Sequence, residues 1–105
     1  MKLILVLMVI ITILLSGCQT NYDELAQCIT TNNISMAGTS WCGHCNTQKE
    51  MFGNSFQYID FHDCVEDRQW CINAGIEAYP AWVLADGTII LGVQSISKLT
   101  ELSNC

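Results

Sequence analysis

Apolar and polar positions along this chain repeat with two different periods. Residues 22–31 and 95–102 place apolar side chains at helical spacing, which predicts amphipathic helices. Residues 34–39 and 56–62 are short apolar or aromatic runs, which suit β-strands. The complete predicted order is helix 22–31, strand 34–39, helix 43–52, strand 56–62, helix 68–74, strands 81–84 and 88–93, and helix 95–102.

A strand–helix–strand unit followed by a hairpin predicts an α/β fold with a mixed central sheet and helices on both faces. The hairpin is indicated by Asp86-Gly87, a pair typical of tight turns between strands. The predicted apolar face of helix 43–52 holds Cys45, Met51 and Phe52, and its predicted polar face holds Gln48, Lys49 and Glu50.

The first eighteen residues have the pattern of an export signal. Lys2 precedes an apolar run over 3–15, which is shorter than the ~20 residues of a membrane-spanning helix. Leu15-Ser16-Gly17-Cys18 resembles the bacterial lipobox, which implies cleavage before Cys18 and lipidation of that cysteine. The predicted organisation is therefore a lipoprotein signal peptide over 1–17, a tether over 18–21 and one domain over 22–105. Plain secretion and an uncleaved signal anchor are the alternatives.

Charge and cysteine content restrict the class of protein. The chain has ten acidic and four basic residues, a net charge of −6, and no basic stripe that would suit nucleic acid. Seven cysteines less the predicted lipidated one leave six, an even number that favours disulfides in an oxidising compartment. We therefore expect an extracytoplasmic protein, periplasmic or on the cell surface, held at the membrane by a lipid anchor.

The sequence Trp41-Cys42-Gly43-His44-Cys45 follows the first predicted strand. A helix that begins at Cys42 would place that sulfur among free backbone N–H groups, which favour a thiolate. Cys45 falls one turn later on the same face, within reach of a short disulfide. Cys42 is thus predicted to attack and Cys45 to resolve. Zinc binding by these two cysteines with Cys64 and Cys71 is disfavoured by the spacing of the second pair, so no metal or cofactor is expected.

These motifs resemble those of the thioredoxin family. The likeness lies in Trp-Cys-x-x-Cys after a strand and Tyr79-Pro80 before a hairpin, and it covers residues 34–102. Further motifs are similar to the thioredoxin-like domains associated with bacterial vitamin K epoxide reductase homologues. They are Lys49-Glu50-Met51-Phe52-Gly53, the Cys64/Cys71 pair, Gly75-Ile76-x-x-Tyr79-Pro80-x-Trp82 and Gly92-Val93-Gln94-Ser95. The resemblance implies a thioredoxin-like fold and a membrane partner of that reductase type.

The resemblance also implies roles for residues around the two cysteines. The Gly43-His44 pair matches protein disulfide isomerase, and His44 would stabilise a Cys42 thiolate and make the disulfide more oxidising. Pro80 matches the family's cis-proline, and Tyr79 would offer backbone groups to a substrate strand. Trp41 would border the sulfurs as a substrate platform.

One position departs from the family pattern. Thioredoxin carries a buried carboxylate six residues before the first cysteine as a proton acceptor, and this chain has Met36 there. Water or Glu50 is then left to accept the proton of Cys45.

The four remaining cysteines are expected to form disulfides. Cys64 and Cys71 flank a turn and a short helix, and their disulfide is either structural or an electron relay. Cys28 and Cys105 would pair by elimination, although six cysteines allow fifteen pairings.

The predicted function is thiol–disulfide exchange on exported, cysteine-containing proteins, with Cys42/Cys45 oxidising or isomerising their disulfides. An extracytoplasmic disulfide reductase and a non-catalytic thioredoxin-like binding lipoprotein are the alternatives.

Overall fold

A computed structural model describes residues 1–8 and 21–105 of the chain. The elements after the N-terminal segment are α1 (Asp23–Thr31), β1 (Ser35–Gly38), α2 (Gly43–Phe52), a 3₁₀ helix (Gly53–Tyr58), β2 (Asp60–Asp63), α3 (Arg68–Ala74), β3 (Ala81–Val83), β4 (Ile89–Leu91) and α4 (Ile96–Ser103). Residues 2–8 are also helical.

The strands form one mixed sheet in the order β2-β1-β3-β4. β1 pairs in parallel with β2 and antiparallel with β3, and β3 pairs antiparallel with β4. The predicted hairpin turn is present, with the Gly87 N–H donating to the Leu84 carbonyl at 2.9 Å. Gly87 has φ +87°, a left-handed conformation that favours glycine.

Helices cover both faces of the sheet. On one face Met36 of β1 and Trp82 of β3 are fully buried in a cluster with side chains of α1, α2 and α4. On the other face Ala37 and Ala81 pack in a second cluster that includes a cysteine of α3. The predicted α/β class and thioredoxin-like fold are confirmed.

The strand predicted over 56–62 was wrong in its first half. Residues 53–58 form the 3₁₀ helix, and β2 begins only at Asp60. Buried Ser55 explains the difference, because its hydroxyl accepts from the Tyr22 N–H (3.1 Å) and donates to the Asp23 carboxylate (2.6 Å). These bonds tie the segment to the start of α1, and Phe56 packs against Phe52 with ring centroids 6.3 Å apart.

The prediction that Gln48 lies on the polar face of α2 was also wrong. Its side chain is completely buried. Its Oε1 accepts from the Trp82 indole N–H (3.1 Å) and the Gln94 backbone N–H (2.7 Å), and its Nε2 donates to the Gln94 carbonyl (3.0 Å). A buried amide needs such partners. Gln48 therefore fixes α2 against β3 and the β4–α4 connection.

The predicted N-terminal features fall mostly outside the described residues. These include Cys18, the tether up to residue 20 and much of the predicted signal peptide. No helix among residues 1–8 and 21–105 is long and apolar enough to cross a membrane.

Candidate active site

Cys42 lies at the N-terminus of α2, as the spacing predicts. It is the N-cap residue, with extended backbone angles (φ −79°, ψ 112°), and its carbonyl accepts from the Asn46 N–H at 3.1 Å. Its sulfur accepts the Cys45 backbone N–H at 3.1 Å, so one of the free donors of the helix start points at this atom. Cys42 is half-buried and has no disulfide partner.

Cys45 lies one turn further along α2 and is also free of a disulfide, but it has no exposed surface. Burial raises the pKa of its thiol to about 11, and the side-chain hydrogen bond with Cys42 acts in the same direction. A backbone hydrogen bond from Thr39 and the positive charge of Lys49 oppose this rise in pKa. The two sulfurs therefore differ in a useful way: one can be reached from solvent, whereas the other is enclosed and held as a thiol.

Gly38, the last residue of β1, makes room for the enclosed sulfur. A Cβ at residue 38 would lie 2.8 Å from the Cys45 Sγ and 3.2 Å from Cε2 of Phe61, and the sulfur distance is shorter than real Cβ atoms show. The sequence pattern does not predict this role of Gly38. The available signal was a glycine at the end of the buried strand, four residues before Cys42.

Met36 lies in the core on the same strand and is fully buried. The position at which thioredoxin carries a carboxylate is therefore occupied here by an apolar side chain. Glu50, the carboxylate predicted as an alternative proton acceptor, is exposed.

The Tyr79–Pro80 peptide bond is cis, and Pro80 is buried directly before β3. The carbonyl of Pro80 accepts the Gly92 N–H at 2.8 Å. One step beyond the Ala37–Ala81 pair in the antiparallel register, Pro80 falls beside Gly38. The proline is thus brought to the end of the sheet where Gly38 contacts Cys45. Tyr79 is 41% exposed at this end, and its binding of a substrate strand stays a prediction.

The other predicted residues around Cys42 lie on the surface. Trp41 is 71% exposed, and Gly43 and His44 are exposed in the first turn of α2. A Cβ at Gly43 would meet nothing within 4 Å. The chain neighbours of Cys42 are therefore exposed, and they leave this side of the residue open to an approaching polypeptide.

The remaining cysteines form two disulfides. Cys28 of α1 is joined to Cys105 after α4, with Cα atoms 6.1 Å apart, and Cys64 is joined to Cys71 of α3, with Cα atoms 5.6 Å apart. The Cys64–Cys71 pair packs on the sheet face opposite Cys45. The two predicted roles of the Cys64–Cys71 disulfide, structural or electron relay, stay predictions. Within the described parts of the chain, no group of three or more possible metal ligands is present.

His62 and Trp70 connect β2 to α3 close to that disulfide. The two rings stack with centroids 3.6 Å apart, and His62 lies between the carboxylates of Asp67 (2.7 Å) and Asp60 (3.1 Å). No motif in the sequence predicts this contact. It anchors the helix that carries Cys71.

A curated protein is similar in sequence to this chain. The chain is 30% identical over 88 residues to the thiol-disulfide oxidoreductase LTO1 of Arabidopsis thaliana. The chain is similar to a thiol–disulfide oxidoreductase. The aligned region covers 75% of this chain and 23% of that relative, so the match spans about a quarter of the relative's length. No protein-family model matches the sequence. The similarity and the cysteine pairs together support a redox function.

Proposed function

We propose that the protein is a thiol–disulfide oxidoreductase that works through Cys42 and Cys45. The observation that carries the proposal is the asymmetry of these sulfurs: Cys42 is accessible at a helix start, and Cys45 is enclosed one turn away. The similarity to a thiol-disulfide oxidoreductase supports the same chemistry. A permanently closed structural bridge would not need this difference in access.

The exchange has two steps in the oxidising direction. A substrate thiolate attacks the Cys42 sulfur of the Cys42–Cys45 disulfide, and Cys45 leaves with the electron pair as a thiolate that then takes up a proton. A second substrate thiolate attacks the substrate sulfur of the mixed disulfide and releases Cys42 as a thiolate. The substrate loses two electrons and the cysteine pair gains them. Isomerisation uses the same mixed disulfide, but the substrate closes a different bond and no net electrons move.

We propose further that the protein acts outside the cytoplasm on exported, cysteine-containing proteins. The support is the signal-like pattern of the first eighteen residues, the lipobox-like sequence ending at Cys18, and two disulfides that need an oxidising compartment. A lipid on Cys18 would tether the domain to the membrane. A membrane enzyme of the vitamin K epoxide reductase type would reoxidise Cys42/Cys45, a proposal that rests on the motif resemblance.

Trapping of mixed disulfides tests both the chemistry and the setting. The Cys45→Ala variant lacks the resolving sulfur, so exported proteins should accumulate on Cys42, and the Cys42→Ser/Cys45→Ala variant should trap none. Recovery of a quinone-linked membrane enzyme in the same trap supports the reoxidation partner. Equal yields from both variants would contradict the proposed function.

A further inference from the structure

Lys49 is near enough to the buried Cys45 sulfur to act on it electrostatically, and among the described residues it forms no ion pair with a carboxylate. The protein has only four Lys and Arg residues against ten Asp and Glu residues. Among the described residues, the ion pairs are those of His62, and Lys49 has no carboxylate within ion-pair distance. A half-buried cation without an anionic partner in so acidic a protein requires another explanation.

Aromatic rings hold the ammonium group in place. The Lys49 Nζ lies 4.1 Å from the ring centroid of Phe61 and 5.7 Å from that of Phe56, distances typical of cation–π contacts. A Cβ at Gly38 would contact both the Cε2 atom of Phe61 and the Sγ atom of Cys45. The ring that holds the cation therefore lies beside the enclosed sulfur.

The helix places Lys49 and Cys45 on the same face. They are four residues apart on α2, and side chains at this spacing are neighbours. Cys42 and Lys49 are the titratable groups that act on Cys45, and the charge of Lys49 acts to lower the Cys45 pKa. The position that carries a carboxylate in thioredoxin holds buried Met36, and among residues 1–8 and 21–105 no Asp or Glu side chain is buried in the core.

We propose that Lys49 is a positioning residue whose charge stabilises the Cys45 thiolate whenever that sulfur leaves or attacks. This proposal rests on the proposed function, because Cys45 carries charge only during exchange. In the oxidising direction Lys49 stabilises Cys45 as the leaving thiolate. In the reducing direction it stabilises the Cys45 thiolate that attacks Cys42 and expels the substrate sulfur. The proton of Cys45 is exchanged with solvent: it is released before Cys45 attacks and is taken up after Cys45 leaves. Lys49 contributes its charge and transfers no proton.

The direct test is a titration of Cys45 in the full-length Cys42→Ser protein, in which Cys45 is the one free thiol of the domain. Its thiolate is followed as the difference in ultraviolet absorbance from the Cys42→Ser/Cys45→Ala protein, which subtracts the tyrosines and Cys18. Lys49→Met should raise the midpoint pH so that the thiolate fraction at a fixed pH falls about three- to tenfold. Lys49→Arg keeps the positive charge and should keep the midpoint pH of Cys45 at the value found with Lys49. Lys98→Met removes an exposed cation from α4 and is the matched control.

A second measurement separates this proposal from the proposed function. With both cysteines present, Lys49→Met should slow opening of the Cys42–Cys45 disulfide by reduced glutathione by a similar factor, and Lys49→Arg should not. Failure of the unsubstituted protein to exchange with glutathione would contradict the proposed function, whereas the Cys45 titration still decides the role of Lys49. An unchanged midpoint in folded Lys49→Met, or in Lys49→Gln if the Met variant does not fold, would overturn the inference.

Discussion

Gly38 and Cys45 approach each other so closely that a methyl group on residue 38 would lie 2.8 Å from the Cys45 sulfur. The contact joins the end of the central strand to the helix of the candidate active site. The backbone of Gly38 also accepts the Cys64 N–H at 2.9 Å, so this residue lies between the free pair and the second disulfide. The Cys45 sulfur can occupy its enclosed position because residue 38 carries no side chain.

The substitution Gly38→Ala should destabilise the reduced protein by about 1–3 kcal/mol, because the added methyl group must displace the sulfur or the Phe61 ring. Urea unfolding under reducing conditions measures the change. Gly43→Ala is the matched control, since its Cβ meets nothing and alanine favours a helix by about 0.5–1 kcal/mol over glycine. Equal effects of the two substitutions would contradict the packing account.

The raised pKa of Cys45 makes the reduced protein sensitive to alkaline pH. The folded thiol has a pKa of about 11 against an ordinary 9.0, so between these values the folded state holds a proton that the unfolded state has lost. The protonated Cys45 thiol therefore contributes about 2–3 kcal/mol to the free energy of unfolding. This contribution is fully present below pH 9 and is lost as pH rises through about 11.

Urea unfolding of the reduced protein at pH 8 and above pH 10 measures this loss, with Cys45→Ala to subtract other titrating groups. The difference between the two proteins should shrink as pH rises. At pH 8 a small alkylating reagent should modify Cys42 and spare Cys45. Rapid labelling of both cysteines in the folded protein would show that Cys45 is not enclosed.

The two disulfides should contribute unequally to stability. Cys28–Cys105 closes a loop with a sequence separation of 77 residues and Cys64–Cys71 one of 7. In the chain-entropy model the longer loop stabilises the fold by about 4–5 kcal/mol and the shorter by about 2–3 kcal/mol. Unfolding of Cys28→Ala/Cys105→Ala and Cys64→Ala/Cys71→Ala variants should reproduce this order, and the reverse order would rule out loop closure as the main term.

The sequence predicts the fold well where local patterns decide the structure. The helix after Cys42, the turn at Asp86-Gly87 and the order of elements all follow from spacing and turn chemistry. The strand predicted over 56–62 includes residues 56–58 because Phe56 and Tyr58 favour strands, whereas buried Ser55 and its partners at the start of α1 favour the 3₁₀ helix over 53–58. Those partners lie more than thirty residues away in the chain.

The parts of the candidate site that the sequence did not predict depend on similar distant contacts. In the helical pattern Gln48 and Lys49 look like surface residues. In the structure Gln48 is buried and accepts a hydrogen bond from Trp82, and Lys49 packs on the ring of Phe61. Gly38 shows no motif, and only the position of the Cys45 sulfur explains it. Local periodicity cannot reveal a partner on another strand.

The central claim is that Cys42 forms the mixed disulfide and Cys45 resolves it. Mass spectrometry of purified Cys45→Ala protein after reaction with a disulfide-bonded peptide tests this claim most directly. For this variant we predict a stable one-to-one adduct on Cys42. The unsubstituted reduced protein, treated in the same way, should release reduced peptide and form a closed Cys42–Cys45 disulfide. An adduct on another cysteine, or none on Cys42, would contradict the account.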